Sequence, residues 1–166
     1  MTKNIVIGYH GHCFDGMTSA ALLTRLLQRL DDSALQFRYV GLDHQPGGSH
    51  VPEKILSGEI NAVVDFRYSV SDKLGWWFDH HLSGIVSEAE RAHFEADRSG
   101  QKFFDPAYGS CSKLVFDVAR ERFSVELDLH ADLVPSAHVI DTAGFGSAQE
   151  AVELAAPALQ LMTVIE

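Results

Sequence analysis

Residues 4–30 read NIVIGYHGHCFDGMTSAALLTRLLQRL. The opening NIVIGY is a short apolar run between polar flanks, the pattern of a strand buried on both faces. A polar loop, HGHCFDG, follows. From Thr18 the run TSAALLTRLLQRLDD sets Ala21, Leu22, Leu26 and Leu30 on one helical stripe, with Thr18 or Ser19 as an early cap. Strand, loop and helix in this order open an alternating strand and helix pattern.

The alternation continues outward. Residues 36–42 (QFRYVGL) read as a second strand, HQPGGSHVP as a loop, and EKILSGE as a short helix closed near Gly58. INAVVDF (60–66) is a third buried strand ending in an acid, and DKLGWWF (72–78) leads a fourth into Asp79, His80 and His81. Residues 87–98 are helical in character, KLVFDVARERF (113–123) is an amphipathic helix, and a further helix is expected over 127–140, ended or kinked by Pro135. AQEAVELAAPALQLM makes a last helix. Such alternation predicts an α/β fold, a mostly parallel sheet flanked by helices on both faces.

Composition limits what such a fold can do. A chain of 166 residues has the size of one ordinary domain, and 46% hydrophobic residues with ten Phe, four Tyr and two Trp is too apolar for disorder. With 23 acidic against 13 basic residues the net charge is −10, which excludes a hold on nucleic acid by general electrostatics. Any phosphate binder of this charge needs positive help from elsewhere, and nine His beside the acid excess suggest a divalent metal site. Cys13 and Cys111 are too few for a disulfide scaffold, the N-terminal stretch has no signal-like apolar core, and no run of ~18 apolar residues offers a membrane span. A cytoplasmic location is the resulting expectation.

In parallel sheets the working residues collect at the carboxyl ends of strands. Applied here, that rule selects His10, His12 and Asp15 after the first strand, Asp65 at the end of the third, and Asp79, His80 and His81 after the fourth. Asp141 follows the apolar pair Val139 and Ile140 at another element end. Carboxylates with a few imidazoles suit Mn²⁺ or a similar hard ion rather than a thiolate-bound Zn²⁺, and this many donors could hold two ions. Beside Cys13, His12 reads as a supporting or solvent-facing residue. His44, His50, His93, His130 and His138 have no companion motif and read as surface or packing residues, Cys111 as a small core residue, and Trp76 and Trp77 as core. The Gly109–Ser112 turn opens a helix whose amides suit either a phosphate or a simple serine cap. A metal-free dinucleotide fold is disfavoured, because the first loop lacks GxGxxG and offers acids where phosphate would sit.

The segments CFDG (Cys13 to Gly16), DFRY (Asp65 to Tyr68) and FDHH (Phe78 to His81), with His10 before them and Asp141 after, resemble the DHH phosphoesterase family in its CPDG…DFSY…DHH branch. That resemblance implies two bound metals. His10, Cys13, Asp65 and Asp141 would surround one; Asp15, Asp65, His80 and Asp141 the other, with Asp65 bridging and His81 facing the substrate phosphate. It implies a Mn-dependent hydrolase, with Mg or Co as substitutes, acting through a metal-activated water on short oligonucleotides, dinucleotides or polyphosphate. The alternative is a weakly active or inactive metal- and phosphate-binding regulatory module. Cys13 stands where many members have Asp. The family's second, substrate-gripping domain is expected to be absent from this chain, so that a homodimer or partner domain would complete the cleft.

Overall fold

The computed structural model describes residues 2–45, 50–127 and 132–165. Five strands form one sheet: β1 (Thr2–His10), β2 (Ala34–Leu42), β3 (Ile60–Val64), β4 (Trp76–Asp79) and β5 (Lys102–Phe104). Their spatial order is β2-β1-β3-β4-β5 and every pairing is parallel. The helices are α1 (Phe14–Leu30), α2 (Glu88–Ala96), α3 (Cys111–Phe123), α4 (Leu133–Asp141), α5 (Ala148–Glu153) and α6 (Pro157–Ile165). The expected α/β architecture is therefore the one observed.

Strand alternation sorts the core into two layers. Ile5, Ile7, Ala62, Val64, Trp76 and Phe78 pack with Leu22, Leu23 and Leu26 of α1, Leu114 and Val115 of α3 and Val134 of α4. On the other face Val63 and Trp77 meet Ile55, Leu56, Phe66, Tyr68 and Ile85, with Phe94 of α2 packed alongside. Trp77 is wholly buried, and its Nε1 donates to the Phe66 carbonyl at 2.8 Å, so both tryptophans are core as expected. Burial on both faces explains why the central strands read as continuous apolar runs rather than alternating ones.

Several boundaries differ from the sequence expectation. Helix α1 begins at Phe14, not near Thr18: Cys13 is the cap, its Sγ accepting from the Gly16 amide at 3.5 Å. Thr18 and Ser19 are buried inside the helix. The helix expected over EKILSGE is a single 3₁₀ turn, Glu53–Ile55. Strand β5 carries no alternation signal in its three residues, and was not expected. Pro135 does not end α4, because it lies in the first turn, where no amide is needed for an intrahelical bond. The last expected helix is two: Leu154 adopts φ 49° and Pro157 starts a new one, the position that best tolerates proline. The first part of the helix expected over 127–140, with His130, and the centre of the loop after His44 lie outside the described residues. No described helix is long and apolar enough to cross a membrane.

Because β1 lies between β2 and β3, the chain leaves it to one side and then the other, and a crevice opens beyond the carboxyl ends of β1 and β3. Trp77→Ala should remove about 3–5 kcal/mol of stability, the usual cost of emptying a large aromatic site. Urea unfolding checks this; a loss below ~1 kcal/mol would show that Trp77 does not hold α2 to the sheet.

Candidate active site

The crevice gathers side chains from five elements. His10 ends β1 and Cys13 caps α1, and both face Asp65: His10 Nδ1 is 3.5 Å and Cys13 Sγ 3.6 Å from Asp65 Oδ2. The other oxygen, Oδ1, lies 3.5 Å from His80 Nε2 and 3.7 Å from His81 Nδ1. His80 Nε2 is also 3.5 Å from Asp141 Oδ2 at the end of α4 and 4.0 Å from Asp15 Oδ2. Among the described residues three donor groups result, His10–Cys13–Asp65, Asp65–His80–His81 and Asp15–His80–Asp141, each with its atoms within 4.8 Å of one another. Every residue expected to serve a metal or the phosphate is thus brought together. Of the two early histidines it is His10 that joins; His12 is exposed and lines a separate cavity of ≈640 Å³ beside α1.

Local backbone chemistry aims these groups. Asp65 leaves β3 with φ 55°, a left-handed turn rare for a residue with a side chain, and its amide donates to the Phe78 carbonyl at 2.9 Å. A Cβ on Gly16 would lie 2.4 Å from the His10 carbonyl oxygen, so only glycine lets the first turn of α1 close over the end of β1. Gly84 plays the same part for Asp79, whose Oδ2 would be 2.2 Å from an added Cβ. Asp79 is fully buried and its Oδ1 accepts from the amides of His80 and His81 and from His81 Nδ1, the last at 2.8 Å. It therefore positions His81, a role the sequence did not reveal. His80 Nδ1 meets the Tyr108 carbonyl at 3.1 Å, which fixes the ring and leaves Nε2 for the carboxylates. Asp15 accepts from the Cys111 and Ser112 amides at 2.6 and 3.1 Å, so the start of α3 is engaged by a carboxylate and not left open for phosphate.

His44, expected as a surface or packing residue, is exposed and packs beside the cluster. It follows the end of β2, its ring 4.8 Å from that of His10 and 5.1 Å from that of Phe66. The strand-end rule covers this position, but no neighbouring motif marked it. His138 likewise has a partner, the buried Ser110, at 3.2 Å.

The electrostatics of the cluster are those of acids short of counter-charge. Asp15 is pushed up to about 7, by burial and then by the Asp65 charge. Burial and Asp65 also raise Asp141, and burial raises Asp79 despite the His81 hydrogen bond. Burial works to raise Asp65 too, but the His10 and His80 imidazoles hold it below the ordinary carboxylate range. Burial opposes a charge on His80, yet Asp65 carries it up to about 9, and the Asp79 hydrogen bond raises His81. Cys13 rises to about 12 through burial and Asp65, so in this state it is a thiol. Burial and the charges of His10 and His81 lower His44.

These residues fit a divalent ion. The buried atoms His10 Nδ1, Asp65 Oδ1 and His80 Nε2 have no hydrogen-bond partner among the described residues, although buried polar atoms nearly always find one. Donors bound to one ion at ~2.1 Å stand roughly 3.0–3.4 Å apart, close to the separations seen here. Oxygen and imidazole donors suit a divalent cation, and the Cys13 sulfur softens one group.

No family model matches the chain, and the search of curated proteins finds no match. Twelve solved chains match its fold. One is an exopolyphosphatase-related protein from Bacteroides fragilis, with TM-score 0.53 and 16% identity, covering 98% of this chain and 51% of its own. That likeness concerns the fold, and the chain spans about half the length of this neighbour.

Because protons occupy the groups that an ion would take, metal affinity should fall as pH drops. Protonation of Asp15 near pH 7, added to the raised Asp141 and His80, competes with the cation at low pH, and deprotonation strengthens binding as pH rises. Titration with Mn²⁺ should show affinity at least ~10-fold higher at pH 8 than at pH 6, with proton release detected as a buffer-dependent binding enthalpy. Affinity independent of pH would contradict this protonation scheme.

Proposed function

We propose that this chain is a metal-dependent phosphoesterase of the DHH type, hydrolysing phosphodiester or phosphoanhydride bonds. The observation that carries this reading is the double presentation of Asp65, with one oxygen toward His10 and Cys13 and the other toward His80 and His81. A carboxylate held between two donor groups is the arrangement a paired-metal site needs. The exopolyphosphatase-related neighbour of similar fold supports the same chemistry.

In this reading His10, Cys13 and Asp65 would hold one ion, and Asp15, Asp65, His80 and Asp141 the other. Two divalent ions, Mn²⁺ first, would when bound acidify the attacking water and neutralise charge on the phosphoryl oxygens. His81 performs the remaining protein step. Its Nδ1 is tied to Asp79, which orients the ring and favours the protonated form, and its other nitrogen serves to donate a proton toward the leaving oxygen. The side chain is 38% exposed, more open than the 10% of His80, as befits a group that meets substrate. No side-chain nucleophile is required, so Cys13 acts as a ligand and not as an attacking thiolate.

Release of nitrophenol from bis(p-nitrophenyl) phosphate with and without Mn²⁺ tests the reading. The parent should show metal-dependent turnover, and Asp65→Asn should lose at least ~100-fold, the upper end of what removal of a mere outer partner costs. Absence of hydrolysis of mono- and diesters and of pyrophosphate with Mn²⁺, Mg²⁺ and Co²⁺ alike would overturn it. Cys13→Asp should keep or raise the Mn²⁺-dependent rate. Complete loss in that variant, together with a phosphorylated or nucleotidylated Cys13 trapped in the parent, would instead make Cys13 the nucleophile.

A further inference from the structure

The donor groups around Asp65 are carboxylates, imidazoles and a thiol, and of these the imidazoles are the good hydrogen-bond donors to a phosphoryl group. His81 supplies one wall of the site. The question is what faces a substrate from the β2 side, where the strand-end rule also places working residues.

The loop leaving β2 is held against the end of β1: the Gly11 amide donates to the Leu42 carbonyl at 2.8 Å, extending the strand pairing by one step. Two residues later comes His44. Its ring stacks on Phe66 at an interplanar angle of 28° and meets His10 edge-on at 72°. Phe66 is itself 2% exposed and directly follows Asp65, so the turn that swings the bridging carboxylate inward also builds the platform for His44. An exposed histidine seated on a buried aromatic and against a metal-facing ring is placed by the site and not scattered over the surface.

His44 belongs to none of the donor groups among the described residues. The His10 ring contacts both His44, at 4.8 Å, and His81, at 6.3 Å, which puts the two outer rings no more than about 11 Å apart between centroids. A phosphoryl group ~2.5 Å across, with hydrogen bonds of ~2.8 Å on either side, spans roughly 8 Å between donor nitrogens. The upper bound of about 11 Å is comparable with that span plus the ring radii, so the two rings lie near enough to reach one phosphoryl group.

We propose that His44 is a substrate-binding residue, donating a hydrogen bond to a non-bridging phosphoryl oxygen across the site from His81. This rests on the phosphoesterase reading and adds to it a binding group outside the DHH-type motifs. A hydrogen bond to a charged group contributes enough that its loss weakens binding about 10- to 100-fold.

The test measures orthophosphate affinity by calorimetry on the Mn²⁺-loaded full chain for the parent, His44→Ala and His44→Gln, beside a Mn²⁺ titration of each. Expected are a 10-fold or greater loss of phosphate affinity in His44→Ala, partial recovery in His44→Gln, which keeps an N–H donor, and unchanged Mn²⁺ affinity in both. With bis(p-nitrophenyl) phosphate the change should fall on KM more than on kcat. Unchanged phosphate affinity in His44→Ala overturns the proposal, as does parallel loss of Mn²⁺, which would make His44 a ligand. A parent that hydrolyses no ester but binds phosphate through His44 sinks the hydrolase reading alone. A parent that turns over while His44→Ala binds phosphate normally sinks this one alone, as does a parent that turns over yet binds no orthophosphate.

Discussion

A carboxylate that is almost wholly out of water must find positive charge within a few ångströms or take up a proton, and Asp65 is 1% exposed. The fold gives it imidazoles on both sides, His10 at one oxygen and His80 at the other. It also gives it three more carboxyl groups, Asp15, Asp79 and Asp141, each shifted toward the protonated form. Four acids and a few imidazoles are not balanced by themselves, and divalent cations would supply the charge that the cluster lacks. On the proposed phosphoesterase reading, the same argument reconciles a net charge of −10 with phosphate binding, because the positive field would come from bound ions.

The rest of the fold can be understood as support for that carboxylate. Parallel pairing with β3 at the centre, between β1 and β4, brings the ends of all three to one edge, and the reversal of strand order opens the crevice there. Gly16 and Gly84 permit approaches that any side chain would block, one closing α1 over His10 and the other letting Asp79 reach His81. Asp15 ties the start of α1 to the start of α3 through two backbone amides, so the helix layer and the site are one hydrogen-bonded unit. Substitutions at these glycines would be felt first in the site, because the nearest atoms they displace belong to His10 and Asp79.

Much of this was legible from residue order. Buried parallel strands announce themselves as apolar runs such as NIVIGY and INAVV, and the acids and histidines that follow them were identified by position alone. What stayed hidden has physical causes. Cys13 is an unusual cap, so the start of α1 was placed some residues late, at conventional capping residues. Strand β5 is too short to show a period, and Pro135 misleads because a proline in the first helical turn looks in sequence like one in the interior. The contact of Asp79 with His81 depends on the backbone turning back on itself, and the place of His44 beside His10 on β2 lying beside β1, a pairing between residues far apart in the chain. Tertiary neighbours of this kind leave no local signature.

The central claim is that Asp65 joins two cation positions. Crystals equilibrated with Mn²⁺ and measured at the manganese absorption edge test it directly. Two anomalous peaks ~3.5–4 Å apart on either side of the Asp65 carboxylate, one toward His10 and Cys13 and the other toward Asp15 and His80, are the expected result. A single peak, or two that do not share Asp65, would contradict the account.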